Sequence, residues 1–526
     1  MGKRLRDAIS FATVNVLAVI VFIATATRSS ASAISVFTYH YNNTRSGANL
    51  AETILTPANV NSSRFGKLFS VPVDGGIYAQ PLYFPNLPIP NRGTHNVVYV
   101  VTRHNSVYAF DADNGTKIWS RSLGPYQPHP QNCAPVGDVG IFGTPVIIVN
   151  TIYVVAATLR NGIARHELHA LNIITGIERL HSPAVITASV LGTGFDSVGG
   201  KLTFNSRIQF QRPALLADNG TIYVGFAAYC DYAPDSAQGH GWIFAYNAST
   251  LQLESTFVVT RNGIGGGIWE SGGGPAADSN HNVYLSTGDG TFDVDKAGVD
   301  YGDSILKLSP GRLLLLDYFT PSNQAVLESQ ALDLGSGGVL LLPPQSTIPN
   351  NLLITAGKQG LIYLINRDNL GHYTMSQVVQ QNGNIAGLFG TPTFWNNRLY
   401  FAGTTYTGGD SPRVFSFLGG RMSANPTSRA AGTYPYPGAV MVVSANGINN
   451  GILWALQHGG TSSGNDVLRA YDALNLGREL YNSDQAGSRD LPGIVGMQFE
   501  SIIVDNGKVY VPSTGAARLS VFGLLH

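Results

Sequence analysis

Short stretches in which apolar and polar residues alternate recur along most of the chain. In the clearest one, the apolar run Asn96-Val-Val-Tyr-Val-Val is followed by Ser106-Val-Tyr-Ala-Phe and then by the turn Asp113-Asn-Gly. Alternation with a period of two residues, bounded by turns of this kind, is typical of antiparallel β-hairpins. The pattern therefore predicts an all-β protein.

The same unit returns about eight times, at intervals of about 50 to 65 residues. Later copies begin near Gly143, Arg212, Gly274, Gly338, Gly390, Gly438 and Glu500. Repeats of this length indicate propellers or arrays. We therefore predict an eight-bladed β-propeller of four-stranded antiparallel blades. Two stacked β-sandwiches would explain the repeat less well.

The two ends of the repeat region complement each other. The last unit stops at Val521-Phe-Gly-Leu-Leu without an outer strand, whereas Lys67-Leu-Phe-Ser-Val-Pro-Val is a strand with no unit of its own. An N-terminal strand that completes the last blade closes the ring and protects the sheet edge. We expect one propeller over residues 65–526, preceded by a polar, loop-like segment over residues 34–64.

The first 33 residues have the layout of a secretory signal peptide. Lys3, Arg4 and Arg6 precede a mostly apolar run over residues 11–24, and Ala31-Ser-Ala forms a small-residue cleavage site. The alternative is an uncleaved membrane anchor. No later segment is long and apolar enough to span a bilayer. The pattern predicts a secreted protein, extracellular or, in a bacterium, periplasmic, and outside the membrane after cleavage.

The composition narrows the range of partners. Only 12% of the residues are charged and the formal net charge is +0, so the chain lacks the basic surface that nucleic-acid binding requires. In a eukaryotic secretory path, Asn-x-Ser/Thr sequons are sites for glycans. These sequons begin at Asn42, Asn61, Asn114, Asn219 and Asn247.

Cys133 and Cys230 are the two cysteines of the chain. In an exported protein they form either a disulfide or two separate thiols, and the sequence leaves both open. They do not form a Cys-x-x-Cys-His motif, which excludes covalent haem. A zinc site would need histidine ligands that the pattern does not supply.

Residues 263–310 carry the residue types of a binding site. Trp269 lies among glycines, Asp289 follows an apolar strand, and Asp303 lies in an acidic turn before the next strand. Glycines allow close approach to a flat ligand, tryptophan offers a stacking face, and carboxylates bind hard cations. The alternative is structural: Trp269 would pack in the core, and the aspartates would form turns.

The ending of the first blade, Ala109-Phe-Asp-Ala-Asp-Asn-Gly-x-x-x-Trp119, resembles the blade signature of the pyrroloquinoline-quinone (PQQ)-like propellers. That superfamily contains the quinoprotein alcohol dehydrogenases and non-catalytic propellers such as the outer-membrane assembly lipoprotein. The resemblance extends over about residues 65–526, and it is strong in blades one to five and loose in blades six and seven.

Four positions match the cofactor site of those dehydrogenases. The resemblance implies that Trp269 is the platform on which PQQ stacks. It implies that Asp289, in Thr-Gly-Asp, is a calcium ligand in place of the usual asparagine. It also implies that Asp303, in Tyr-Gly-Asp where the family has Pro-Gly-Asp, is the catalytic base. Lys358, before Gln-Gly and a Tyr-Leu-Ile-Asn-Arg strand, would reach the quinone oxygens.

The chain also departs from that pattern. The dehydrogenases cover PQQ with a disulfide between adjacent cysteines, and only Cys133 lies in that region. Their glutamate calcium ligand should fall in the loop before Gly241, where Asp231 or Asp235 could substitute and the spacing does not decide between them. No cytochrome domain is fused to the chain.

The sequence thus supports two functions. One is a PQQ- and calcium-dependent oxidoreductase that acts on an alcohol or sugar. The other is a cofactor-free propeller that binds a ligand or an extracellular partner. In this second case Lys358 would be a solvated turn residue. His240, Asp111 and Asp472 are expected to be structural in either case.

Overall fold

Eight small antiparallel sheets follow one another along the chain, and the first strands of most successive sheets contact each other. The computed structural model describes residues 33–128, 137–229, 239–459, 466–493 and 499–525. The predicted all-β, eight-bladed propeller is confirmed, and the alternative of two stacked sandwiches is wrong.

Each blade has four main strands, numbered here from the axis outwards. Blade 1 comprises Leu82–Ile89, Gly93–Val101, Ser106–Asp111 and Lys117–Ser122, and blade 2 comprises Val146–Ile148, Thr151–Arg160, Ile163–Asn172 and Ala184–Val185. Blade 3 comprises Leu216–Asp218, Thr221–Ala228, Trp242–Asn247 and Leu253–Val258, and blade 4 comprises Ala276–Ala277, Val283–Ser286, Ile305–Leu308 and Leu315–Phe319. Blade 5 comprises Leu340–Leu341, Leu352–Ala356, Ile362–Asn366 and Val378–Asn382, and blade 6 comprises Thr393–Trp395, Arg398–Phe401, Arg413–Leu418 and Ser428–Arg429. Blade 7 comprises Met441–Asn446, Asn449–Gln457, Val467–Asp472 and Glu479–Asn482, and blade 8 comprises Ile503–Asp505, Lys508–Ser513, Arg518–Leu524 and Phe65–Pro72.

A few elements are additional to the four main strands of each blade. The further strands are Ala48–Asn49, Gln127–Pro128, Asp138–Val139, Ser189–Leu191, Lys201–Thr203, Gln209–Phe210 and Arg421–Met422. The helical elements are the α-helix Gln324–Gln330 and the 3-10 turns Tyr39–Tyr41, Glu270–Gly272, Val294–Lys296, Leu334–Ser336 and Ser483–Arg489. Within the described ranges, none of these helices has the length and apolar character needed to cross a bilayer.

The inner strands are buried on both faces because each blade packs between two others. In blade 3, all eight residues of Thr221–Ala228 are buried. Between blades 2 and 3, Phe204 meets Phe226, Trp242 and Phe244 in edge-to-face contacts with ring centroids 4.8 to 5.6 Å apart. Burial on both faces explains why the second strands are almost continuously apolar instead of alternating.

The N-terminal strand Phe65–Pro72 closes the ring as predicted. It pairs antiparallel with the last strand, Arg518–Leu524, so that blade 8 contains both ends of the propeller. Phe65 is fully buried there, and its ring lies 4.9 Å from that of Tyr481 and 5.4 Å from that of Trp454 in blade 7.

We expect Phe65→Ala to lower the free energy of unfolding by about 3 to 5 kcal/mol, because it leaves a cavity where the two ends of the chain meet. Phe69→Ala, on the same strand at a half-buried position, is the matched control and should cost much less. Urea unfolding measures both variants. Equal effects would contradict the importance of this closure.

Residues 36–52 line the inside of the ring and contact every blade. In order from blade 1 to blade 8, the contacts are Val36 with Tyr83, Phe37 with Ile147, Asn43 with Ala217, Asn43 with Ala277, Thr44 with Leu341, Ser46 with Phe394, Gly47 with Val443, and Asn49 with Val504. We call these residues the axial segment. The sequence predicted a polar loop, and the segment is largely irregular, but it is mostly buried. Many of its polar backbone groups bond the inner strands of the blades.

Arg45 anchors the axial segment at the axis. It is fully buried, and its guanidinium donates to five oxygen atoms at 2.6 to 3.3 Å. These acceptors are Thr38 Oγ1 and the carbonyls of Tyr39, Leu215, Gly274 and Pro275. Because the acceptors come from the segment and from two blades, Arg45 holds these elements together.

Several predictions lie at or beyond the limits of the described residues. The signal peptide falls almost entirely before residue 33, and Cys133 and Cys230 are outside the described ranges. Among the sequons, Asn114 and Asn219 are exposed, and the other three asparagines are half-buried. The Asn42 amide donates to Ser46 Oγ at 2.6 Å, a bond that a glycan would replace. Glycosylation and the disulfide therefore stay predictions.

Candidate functional site

Asp289 and Asp303, two of the site residues predicted within residues 263–310, lie in the connection between the second and third strands of blade 4. Asp289 follows the strand Val283–Ser286, and Asp303 precedes the strand Ile305–Leu308. The antiparallel pairing of these strands brings their adjoining ends together. Two residues far apart in the connection thereby come to lie side by side.

The glycines around this connection serve backbone packing. A Cβ atom at Gly290 would lie 2.2 Å from the backbone nitrogen of Gly266, and one at Gly302 would lie 2.0 Å from the carbonyl oxygen of Gly290. Side chains at these positions would force the loops apart. At these two positions the glycines therefore allow two protein segments to pack closely, and they do not leave room for a flat ligand as the sequence suggested.

A third carboxylate, Glu328, joins the two aspartates. One carboxylate oxygen each from Asp289, Asp303 and Glu328 can be chosen so that all three lie within 4.8 Å of one another. Glu328 belongs to the helix Gln324–Gln330, between blades 4 and 5, and is exposed, whereas Asp303 is buried. We call these three residues the carboxylate cluster. It reaches solvent on the side of Glu328.

Burial and mutual repulsion raise the pKa values of the cluster. The pKa of Asp289 rises from 3.8 to about 10, first because the group is desolvated and then because Asp333 and Asp303 lie nearby. The same causes raise the pKa of Asp303 well above its ordinary value, and burial raises that of Glu328. Asp289 Oδ1 is buried, and no residue in the described ranges forms a hydrogen bond with it. Such a group favours either protons or a bound cation.

Asp303 is the most enclosed member of the cluster. Its side chain has no exposed surface, and its backbone has a φ of 48°. The backbone N–H of Leu334 donates to Asp303 Oδ1 at 3.0 Å, and the Gln324 amide approaches Oδ2 at 3.4 Å. The segment that carries Glu328 thus also covers Asp303.

Lys358 is connected to the cluster through Asp333. The two form an ion pair, and Asp333 Oδ1 also accepts the backbone N–H of Asp289 at 2.8 Å. Burial alone would lower the pKa of Lys358, but the Asp333 carboxylate outweighs it and raises that pKa. The Lys358 ammonium also lies 5.8 Å from the ring centre of Tyr406. Lys358 is therefore a largely buried, paired cation, and the alternative of a solvated turn residue is wrong.

Trp269 lies beside the same connection. Its half-buried ring packs edge-to-face on Phe210, with centroids 5.9 Å apart, within an aromatic group that includes Tyr78 and Phe142. A backbone bond from Gly288 N to Gly267 O, 2.9 Å long, joins the turn before Trp269 to the strand end that carries Asp289. Four predicted site residues, Trp269, Asp289, Asp303 and Lys358, are thus brought to one region.

Glu328 and Asp333 were not found from the sequence. They lie in an insertion between two blades, where the repeat offers no register, and their acidity is the sole sequence signal. The predicted alternatives, Asp231 and Asp235, are outside the described residues.

Three residues expected to be structural have structural contacts. His240 bonds Thr260 and Asp196 at 3.0 and 2.9 Å. Asp111 and Asp472 accept backbone N–H groups of the turns that follow them.

Several solved propellers share this fold. Quinohemoprotein alcohol dehydrogenase from Comamonas testosteroni aligns with a TM-score of 0.60 and 13% identity, over 93% of this chain and 80% of that one. A europium-containing methanol dehydrogenase aligns with a TM-score of 0.58 and 13% identity, over 93% and 98%. Saccharomyces cerevisiae Sqt1 aligns with a TM-score of 0.50 and 12% identity, over 88% and 100%.

These similarities confirm the resemblance to quinoprotein propellers at the level of the fold. No protein-family model matches the sequence, and no curated protein matches it. Because Sqt1 also has a similar fold, the fold alone does not select a function. The choice between an enzyme and a binding propeller therefore depends on the residues of the candidate site.

Proposed function

We propose that this propeller is an oxidoreductase that holds PQQ and calcium and acts on an alcohol or a sugar. The observation that carries the proposal is the convergence of Asp289, Asp303 and Glu328 beside Lys358 and Trp269. The signal-like residues 1–33 are the basis for proposing that it acts outside the cytoplasm.

The carboxylate cluster fits a calcium ion. Calcium takes oxygen ligands, mainly carboxylates and carbonyls, and the cluster offers three carboxylates with Asp289 Oδ1 lacking any hydrogen-bond partner. A divalent cation would also offset the repulsion that raises the pKa of Asp289. In this proposal Glu328 takes the role that the sequence assigned to Asp231 or Asp235.

The surroundings fit PQQ, which is planar and carries three carboxylates. Trp269 offers an aromatic surface and Lys358 a cation next to the cluster. PQQ, when bound, supplies a two-electron acceptor for the oxidation of an alcohol.

Asp303 is the proposed base for the substrate hydroxyl. Burial and the neighbouring Asp333 raise the pKa of this carboxyl well above its ordinary value and so favour its protonated form. A nearby positive charge lowers that pKa and so provides the ionised form that accepts a proton. The bonds from Leu334 and Gln324 fix its orientation.

We expect Asp303→Asn to lower kcat at least 100-fold, because the amide cannot accept the hydroxyl proton. Dye-linked turnover is measured at saturating calcium and PQQ, so that weaker metal binding does not limit the rate. Asp278→Asn is the control, since Asp278 lies in the same blade and bonds Tyr284 and Asn282. Full turnover by Asp303→Asn would contradict the assigned role.

The second candidate is a cofactor-free propeller that binds a ligand or an extracellular partner. The observation that favours it is the enclosure of Asp303 together with the internal pairing of Lys358 to Asp333. Polar groups satisfied inside the protein need no cofactor. This candidate predicts that PQQ does not bind at any calcium concentration.

A further inference from the structure

Two arginines are fully buried near the axis, and they differ in their contacts. Arg45 donates to five oxygens. Arg212, which is 1% exposed, has Nε, Nη1 and Nη2 all buried, and none of them has a hydrogen-bond partner among the described residues. No described carboxylate lies within ion-pair distance of it. Buried polar groups in proteins are almost always paired, so an unpaired guanidinium requires an explanation.

The surroundings of Arg212 are aromatic and weakly acidic. Its guanidinium carbon lies 5.4 Å from the ring centre of Phe499, and its electrostatic neighbours are Glu500, Tyr78, Tyr39 and Tyr436. Burial lowers the pKa of Arg212 to about 10, so the side chain is still charged at neutral pH.

Glycine is required next to this guanidinium. A Cβ atom at Gly272 would lie 2.7 Å from Arg212 Nη1, and Gly272 has a φ of +85°. The backbone of the turn before the first strand of blade 4 therefore lies directly against the cation. The turn supplies no carbonyl bond to it, whereas the carbonyls of Gly274 and Pro275 bond Arg45.

We propose that Arg212 binds the carboxylate of a small organic acid at the axis of the propeller, with the Phe499 ring packing against the apolar part of that acid. A guanidinium binds carboxylates through two parallel N–H bonds. One negative charge matches the single charge of Arg212. A dianion such as phosphate would leave an excess negative charge next to Glu500.

Phe499 covers the site. Its backbone has a φ of 53°, a conformation that bulky residues rarely adopt, and its ring belongs to an aromatic group with Phe389 and Tyr436. Because Arg212 is closed to solvent, entry of the acid requires the side chains around it to move.

The carboxylate bound at Arg212 has two alternative sources, a free organic acid and a bound quinone. The competition experiment described below distinguishes them. Tyr436 is an electrostatic neighbour of both Arg212 and Lys358, and Lys358 is connected to the carboxylate cluster through Asp333. The inference does not depend on the proposed oxidoreductase activity, because benzoate binding and its loss in the Arg212 variant are measured without calcium, PQQ or turnover, and PQQ enters only the competition that identifies the source.

The test uses benzoate as the probe and benzamide as its neutral counterpart, with the mature chain, residues 34–526. Binding is followed on the proton NMR signals of the probe by saturation transfer. We expect benzoate to bind at least 30-fold more tightly than benzamide, and Arg212→Met to remove that preference. Equal binding of the two probes, or an unchanged preference in the variant, would overturn the proposal.

Thermal unfolding separates a ligand-binding arginine from a structural one. We expect Arg45→Met to lower Tm by several degrees, because it leaves buried carbonyls unpaired, and Arg212→Met to leave Tm unchanged or raise it. A large drop for Arg212→Met would show a structural role and overturn the proposal. Arg212→Lys keeps the charge without the fork of donors, and it should retain the fold with about 10-fold weaker benzoate binding.

A competition experiment identifies the source. If PQQ displaces benzoate from the wild-type protein and Arg212→Met weakens both, the carboxylate belongs to the quinone. If benzoate binds equally well with PQQ present, the site takes a free acid. Both results support carboxylate binding at Arg212, and absence of benzoate binding in the wild type contradicts it.

Discussion

Deletion of residues 34–52 is expected to prevent the mature chain from folding. The axial segment accepts backbone N–H groups from Ile147, Ala277, Leu341 and Val443, all of which are buried. Each N–H left buried without a partner costs about 1 to 3 kcal/mol. Four of them approach the whole stability of a typical protein, about 5 to 15 kcal/mol, before the loss of Arg45 is considered.

Circular dichroism and gel filtration of the truncated chain check this prediction. The control is a chain that begins at Val36 and so keeps the contacts of the axial segment with all eight blades. We expect the control to be folded and the longer deletion to aggregate or to lack cooperative unfolding. A longer deletion with a native Tm would contradict the importance of the segment.

Calcium is expected to raise Tm, and Glu328→Gln to weaken calcium binding by on the order of 100-fold. Removal of one carboxylate takes away a charged ligand from a site whose affinity depends on ligand charge. At a calcium concentration 1,000 times Kd, the stabilisation is about 4 kcal/mol. Thermal unfolding with calcium and with a chelator measures it, and Glu254→Gln, on blade 3, is the control.

The pH dependence of this effect has a defined sign. The folded-state pKa of Asp289, about 10, lies above the ordinary value of 3.8. The associated stability is therefore fully present below about pH 4 and is lost as the pH rises towards 10. Without calcium, Tm should fall as the pH rises through this range, and calcium should stabilise the protein most at high pH. A calcium effect that is independent of pH, or unchanged in Glu328→Gln, would contradict the site.

The blades were predictable because the same pattern of strands and turns repeats along the sequence. The inner strands bury both faces, and the turns recur at similar positions, so the pattern that begins at Asn96 identifies its later copies. The closing strand could be predicted for a similar reason, since a last blade without an outer strand needs one. Asp289 and Asp303 were found because they lie at ends of repeat strands.

The rest depends on contacts that the repeat does not encode. Glu328 reaches the cluster from an inserted helix that has no counterpart in the described parts of the other blades. Residues 36–52 read as a polar loop because their partners are backbone groups of eight separate blades. Arg212 lies at the start of a repeat copy, and only the three-dimensional arrangement reveals that its donors lack partners.

A titration of the purified mature chain with PQQ, with and without calcium, tests the central proposal most directly. Trp fluorescence reports binding, and an artificial dye reports oxidation of a panel of alcohols and sugars. The account predicts calcium-dependent quenching that is reduced in Trp269→Ala, together with dye reduction by at least one substrate. Absence of PQQ binding at every calcium concentration would contradict it and would favour the cofactor-free propeller.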